Sequence, residues 1–270
     1  MNRKLLSIPY LFWSALFIVI PLCMVFYYGL TDKSGAFTMD NIMAIATPEH
    51  SKALWEAVKL SIISTIICLI LAYPLAMLLS NMNARQDTFI VLIFVLPMWM
   101  NFLLRTIAWQ SLLEKTGVIN GILGFFNLPR LDIINTPGAI VLGMVYNFLP
   151  FMILPIYNVL VKIDRNVINA ARDLGANSLQ TFTKIMLPLS LPGIISGITM
   201  VFVPALTTFV ISRILGGGKI LLIGNIIEEE FTKTGNWNLG SGLSIVLMLF
   251  IILNMVITAV TDKDGEVNAL

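Results

Sequence analysis

Charge is what this 270-residue chain has least of. Asp, Glu, Lys and Arg make up 12% of it, about half of the roughly 25% usual in soluble domains. Hydrophobic residues make up 57% and the mean hydropathy is +0.88, so the composition is that of a membrane protein. The net charge of +2 comes without a basic cluster, which excludes the electrostatic footprint of a nucleic-acid binder. There is one histidine, His50, in a polar loop with no clustered cysteines or carboxylates, so a catalytic metal site has no ligand set. The two cysteines, Cys23 and Cys68, fall inside hydrophobic runs. They make neither a disulfide framework nor a metal site and read as small apolar packing residues. No Gly-x-x-x-x-Gly-Lys-[Ser/Thr] phosphate loop occurs, so the chain has no ATP site of its own. The hydrophobic segments carry no paired carboxylates and no Ser/His set, which leaves an intramembrane enzyme without its chemistry.

What is present is a succession of long apolar runs. Six spans of about twenty residues each are expected at about 9–30, 54–80, 89–109, 139–160, 191–214 and 243–260, in one all-α polytopic membrane domain covering 1–270. The first run is too long for a signal-peptide core and no small-x-small cleavage site follows it. Pro74 falls within the second span, Pro97 within the third, Pro150 and Pro155 within the fourth and Pro204 within the fifth, where kinks are expected. Basic residues are denser in the segments placed inside (Arg3, Lys4, Arg85, Lys162, Arg165, Arg172, Lys184 and Lys263) than in those placed outside. The positive-inside rule then puts both termini in the cytoplasm.

The chain is organised around Asp164–Ile194, a polar island within a cytoplasmic loop expected at 161–190. Asp164 is a helix N-cap type. Val167, Ile168, Ala171 and Leu174 recur at helical spacing, and Gly175 follows where a helix end takes a residue tolerant of positive φ. Asn177 with Gln180 three residues on reads as a capping box. Leu179, Phe182 and Met186 form a second apolar face, and Pro188 and Pro192 are expected to end that helix. Two short amphipathic helices joined by a glycine bend form a docking element, since exposed apolar faces mark interaction sites.

Asn169-Ala-Ala-x-x-x-Gly175, then nine residues, then Ile185-x-Leu187-Pro188 resembles the EAA motif of ABC importer permeases. The motif's leading glutamate is Asn169 here. The resemblance implies a type I (MetI-like) permease bundle in a bacterial cytoplasmic membrane. It also implies a coupling helix that fits a groove on an ATPase subunit, formed by Asn169, Ala170, Ala171, Asp173, Leu174, Gly175, Ala176, Leu179, Phe182 and Pro188. The implied partners are an ABC ATPase dimer that binds the ATP, a second permease subunit and an extracytoplasmic substrate-binding protein; no cofactor is implied for this chain itself. Ala170-Ala-Arg-Asp-Leu-Gly-Ala176, Leu149-Pro-Phe-Met152 and Leu221-Leu-Ile-Gly-Asn225 are similar to the polyamine branch of the family, so spermidine or putrescine is the expected cargo. Where that branch carries an acidic residue before the glycine-rich outer loop, this chain has Arg213.

The candidate translocation path comprises Trp99, Asn101, Arg105, Tyr146, Asn147, Thr207 and Thr208. Aromatic and amide groups suit a cation through ring-face attraction; the same groups also serve helix–helix packing. Arg105 and Arg213 lie near span ends, where arginine ordinarily snorkels. Glu228, Glu229 and Glu230 either attract cations or contact a binding protein, or form a solvated loop face. The alternatives to a polyamine permease are an ABC permease for another small solute and an ion-coupled secondary transporter. The latter calls for ionisable groups at mid-membrane and often an internal repeat, and neither is found.

Overall fold

Small side chains recur along one side of the longest helix, and the bundle closes on them. The computed structural model describes residues 8–81 and 96–267. Met1–Ser7, most of the expected inner turn (82–87) and the first part of the expected third span (89–95) lie outside the described residues. Helix α1 runs over residues 8–29 through a π-turn at Ala15–Val19. Helix α2 is Pro48–Ser80, α3 Phe102–Leu113, α4 Val118–Phe125, α5 Pro137–Leu160 and α6 Arg165–Asp173. Helix α7 is Ser178–Thr207, α8 Val210–Leu215, α9 Ile223–Glu229 and α10 Trp237–Val267. Among the described residues five segments are long and apolar enough to cross a membrane: Pro9–Gly29, α2, α5, α7 and Trp237–Thr258.

The core is the contact of α2, α5 and α7. On α2 the buried positions Ala53, Ala57, Leu60, Ser64, Cys68, Ala72, Ala76 and Leu79 recur every three or four residues. Most are small, as membrane helices need to approach closely. Gly193 and Gly197 do the same on α7: a Cβ at Gly193 would lie 2.8 Å from the Pro155 carbonyl oxygen, and one at Gly197 2.7 Å from Met152 Sδ. The buried hydroxyls of Ser61 and Thr65 donate to Ala57 and Ser61 carbonyls at 2.6 and 2.7 Å, so helix backbone satisfies them and apolar neighbours suffice elsewhere. Cys68 is buried in this core, whereas Cys23 is exposed on α1. Helix α1 packs chiefly on α10 and buries only Gly29, against the backbone of Ser241 and Gly242. The loop after α1 turns tightly on Asp32, whose carboxylate accepts from the Ser34 hydroxyl and from the Ser34 and Ala36 backbone at 2.6, 2.8 and 2.9 Å. The Ser34 hydroxyl foremost holds its pKa below the ordinary carboxylate value.

The helices depart from the expected boundaries at instructive places. Pro74, Pro150, Pro155, Pro192 and Pro204 all lie inside continuous helices, as proline can where neighbouring helices re-satisfy the backbone. Pro188 does not stop the second amphipathic helix either. A π-turn at Phe182–Met186, with Leu187 N–H bonded to the Phe182 carbonyl, leads directly into the membrane-length part of α7, and Pro188 takes an early position there, where its missing N–H costs little. The fifth segment is interrupted instead at Thr208, whose backbone is extended. The stretch 216–239, between the expected fifth and sixth spans, contains α9 and a following π-turn, Glu230–Thr234.

Candidate functional site

At one end of the bundle the chain makes a rigid elbow. Asp164 caps α6, its carboxylate accepting from Asn166 N–H at 2.9 Å. Past Leu174, Gly175 takes φ +87°, a conformation that costs an L-residue about 1–2 kcal/mol. Gly175 N–H bonds the Arg172 carbonyl at 2.9 Å and Ala176 N–H the Ala171 carbonyl at 3.0 Å, the paired closure of a Schellman motif. Two residues later Asn177 and Gln180 exchange bonds of 2.8 and 2.9 Å, the reciprocal capping box that starts α7. No residue of α6 is buried. Leu174 is 89% and Leu179 70% exposed, and Val167 is exposed as well; Asn169, Ala170, Asp173, Gly175 and Pro188 share the open surface, and Ala171 and Ala176 are half-buried.

Phe182 is placed otherwise than on the docking face. Its ring turns into the bundle and meets Tyr73 of α2 edge-on, with centroids 5.4 Å apart at 88°. Leu179 is exposed while Phe182, beside the buried Thr181, turns inward; their i, i+3 spacing alone would set both on one face, and the π-turn that begins at Phe182 is where the helix departs from that period. The Tyr73 hydroxyl shares a hydrogen bond of 2.8 Å with Ser190 Oγ on α7. The elbow is thus one continuous piece with α7 and is keyed to α2 through Phe182, Tyr73 and Ser190. Tyr73 and Ser190 are 117 residues apart, and local spacing carries no sign of their meeting.

At the other end α7 breaks at Thr208, and a buried amide bridges the break. Asn225, 2% exposed, donates to the Phe209 carbonyl at 2.9 Å and accepts from Leu222 N–H at 3.0 Å and from Ser212 Oγ at 2.6 Å. Gly224 lets this helix start approach the break: a Cβ there would lie 2.8 Å from the Thr207 carbonyl oxygen and 3.1 Å from that of Thr208. Arg213 does not snorkel alone. It forms a two-pronged pair with Glu228, one hydrogen bond being 3.1 Å, and lies 3.6 Å from Glu229, which itself holds Lys233 at 2.6 Å. The Arg213 guanidinium holds the Glu228 carboxyl below its ordinary value.

The seven path residues fall into two groups. Asn101 caps α3, accepting from Leu103 and Leu104 N–H at 2.9 and 3.2 Å, with the exposed Trp99 just before it. Arg105 is 7% exposed and is no snorkelling residue: its guanidinium lies 5.7 Å from the Tyr146 ring centre and 6.0 Å from that of Phe102. Tyr146 in turn meets Trp109 edge-on at 5.1 Å. The neighbouring Asn147, 1% exposed, donates to the Gly143 carbonyl of its own helix at 2.7 Å, while its Oδ1 is buried with no hydrogen-bond partner among the described residues. Thr207 and Thr208 belong to the second group, at the helix break. Asn225, Ser212 and Gly224 complete that break; Gly224 and Asn225 are legible in the sequence only as part of the Leu221–Asn225 resemblance, and no local signal marks Ser212.

Membrane-length helices, a rigid uncovered elbow at one end and a bridged helix break at the other form the build of a transport permease. The family model described as "Binding-protein-dependent transport system inner membrane component" matches residues 72–263. The spermidine/putrescine transport system permease protein PotB of Haemophilus influenzae is 37% identical over 250 residues, 89% of this chain and 87% of that one. PotB of Escherichia coli is 35% identical over 246 residues, 88% and 89% of the two chains. Among solved structures, a chain of a bacterial ABC transporter involved in importing the acidic polysaccharide alginate superposes with a TM-score of 0.82 at 15% identity, covering 97% of this chain and 94% of that one. The chain belongs to the family of binding-protein-dependent transport system inner membrane components. It is a multi-pass permease subunit of an ABC importer, a transport subunit and not an enzyme.

Proposed function

We propose that this permease moves spermidine and putrescine inward across the cytoplasmic membrane. A partner ABC ATPase dimer docks on the elbow, a second permease subunit completes the pathway, and an extracytoplasmic binding protein delivers the amine. The observation that carries the energising half is the elbow itself. Leu174, Leu179 and Val167 are apolar and uncovered, on a bend locked by the Schellman and capping-box bonds. Lys162, Arg165, Arg172 and Lys184 gather on the same stretch, which favours the cytoplasmic side for it and for both termini. The substrate half is supported by the likeness to two permeases named for spermidine/putrescine transport.

The ATP is the partner's, and this chain calls for no cofactor of its own. Closure of the ATPase dimer shifts the elbow, α7 carries the shift along roughly 45 Å of helix at 1.5 Å per residue, and the Phe182–Tyr73 contact passes it to α2. Switching between inward- and outward-open states then requires that the ATPase bind the elbow differently in the two. Trp99, Asn101, Arg105, Tyr146, Asn147, Thr207 and Thr208 are the proposed path. The test is uptake of labelled spermidine by proteoliposomes holding the complete transporter. Uptake is expected to require internal ATP and external binding protein and to survive collapse of the ion gradients. Uptake driven by a gradient would overturn the ABC coupling proposed here; ATP-driven uptake of a sugar or dicarboxylate in place of the amine would overturn the substrate alone.

A further inference from the structure

Beside the helix break lies a cavity of about 380 Å³ between α7, α9 and α10, within the range of about 300–1,000 Å³ usual for small-ligand sites. Its polar lining offers acceptors. The carboxylate is Glu228, and the hydroxyls are Thr207 and Ser244. Both hydroxyl protons are already committed, Thr207 Oγ1 donating to the Val203 carbonyl at 3.1 Å and Ser244 Oγ to the Gly240 carbonyl at 2.7 Å. What each presents outward is a lone pair, which suits a ligand that only donates. Two aromatic rings, Phe209 and Phe231, line the same cavity. Phe231 is fixed, meeting Trp237 edge-on at 5.5 Å. The remaining wall is aliphatic, and no lysine or arginine lines the cavity. A second cavity, of about 410 Å³, is lined by Lys52, Lys59 and Lys219 against Glu49 and Glu56, a surplus of positive charge that does not suit a cation.

We infer that the Glu228 cavity is a binding site for the primary ammonium end of an aliphatic amine, its methylenes lying on the aliphatic wall. This rests on the polyamine reading above and places the recognition of charge at the helix break. Arg213, whose side chain approaches Glu228 from outside the cavity lining, competes with the ammonium for the same carboxylate. Glu229 Oε1, 3.6 Å from Arg213 Nη2, is the acceptor that receives the guanidinium when the ammonium takes Glu228. The arginine that stands where the polyamine branch has an acid is thereby a displaceable counter-ion and not an obstacle to a cation.

The test compares the two partners of the pair in the complete transporter in proteoliposomes, with labelled putrescine and spermidine as probes. Glu228→Gln is expected to lower ATP-driven uptake on the order of ten- to a hundredfold, the scale of one charge-assisted hydrogen bond. The ATPase activity evoked by loaded binding protein stays, and Glu228→Asp recovers part of the uptake. Arg213→Gln is expected to leave uptake undiminished, because it frees the carboxylate. A structural ion pair would lose as much from either partner, so equal losses overturn the inference, as does unchanged uptake by Glu228→Gln. Should Glu228→Gln fail to assemble, Phe231→Leu decides: a loss of roughly two- to fivefold, the scale of a cation–ring contact, supports the site, and no loss overturns it. Wild-type transporter that takes up neither amine overturns the polyamine reading and this inference with it.

Discussion

Replacing Gly175 with proline is expected to abolish uptake while leaving the protein inserted in the membrane at its normal level. The position has φ +87°, and proline holds φ near about −65°; no adjustment of neighbours reconciles the two. Proline also deletes the N–H that bonds Arg172, so both halves of the bend are lost and α6 leaves its angle to α7. A Cβ at Gly175 would meet nothing within 4 Å, so the lesion falls on the backbone of the bend and not on a packed contact with the bundle. A coupling free energy of about 1–3 kcal/mol corresponds to roughly 5- to 150-fold, and loss of the elbow forfeits it. Gly175→Ala separates space from backbone strain. It has the room and pays only the positive-φ cost, about 1–2 kcal/mol, so a partial loss is expected. Uptake rates normalised to membrane-inserted protein check both variants. Normal transport by the proline variant would sink the role of the bend.

Asn225→Leu is expected to lose the most stability of any single polar change in the described bundle, roughly 2 to 5 kcal/mol. Leu222 N–H, in a fully buried residue, loses its acceptor, which costs about 1–3 kcal/mol. The bonds to Phe209 and Ser212 contribute about 0.5–1.5 kcal/mol each, but the single Ser212 hydroxyl proton, which also has the Phe209 carbonyl within reach at 3.0 Å, turns to that carbonyl when the amide is gone, which keeps the total below the upper end of that sum, roughly 6 kcal/mol. Asn147→Leu is expected to lose none. Asn147 is just as buried, yet its amide serves only the Gly143 carbonyl of its own helix, and its Oδ1 is partnerless among the described residues. Removing a buried acceptor without a partner is neutral or stabilising. Thermal unfolding of the purified variants in detergent should therefore come earlier for Asn225→Leu and be unchanged or later for Asn147→Leu, and an equal loss in both would contradict the hydrogen-bond assignments at the break.

The contrast between what sequence disclosed and what it hid follows the range of the interactions. Asp164, Gly175 and the Asn177–Gln180 box act within a few residues, and each appears in the structure as its spacing led one to expect. The inward turn of Phe182 depends on where Tyr73 stands, on a helix a hundred residues away, so the amphipathic pattern alone could not apportion that face between bundle and partner. Pro188 was legible as a stop because proline breaks an ordinary i→i−4 ladder; the π-turn before it shifts the ladder and carries the helix through. The Arg213–Glu228 pair joins α8 to α9, fifteen residues apart in sequence, and no local spacing links the arginine to the acidic run. Arg105 likewise finds its ring partner, Tyr146, on another helix. Composition and hydrophobic length disclosed the class; the contacts that set the mechanism are those that only the packing of distant helices creates.

The central claim is that the Leu174 surface is covered by the ATPase. The direct measurement is photo-crosslinking in the assembled transporter, with a photoreactive side chain in place of Leu174 or, as a control, of Met43. Both positions are exposed, but Met43 precedes α2, and the elbow meets that helix at Tyr73, roughly 25 residues and so roughly 38 Å along it at 1.5 Å per residue. The account predicts that position 174 captures the ATPase subunit, in a yield that changes between ATP-bound and nucleotide-free states, and that position 43 does not. Capture of lipid or of the second permease alone at position 174, in a transporter that still hydrolyses ATP on demand, would contradict it.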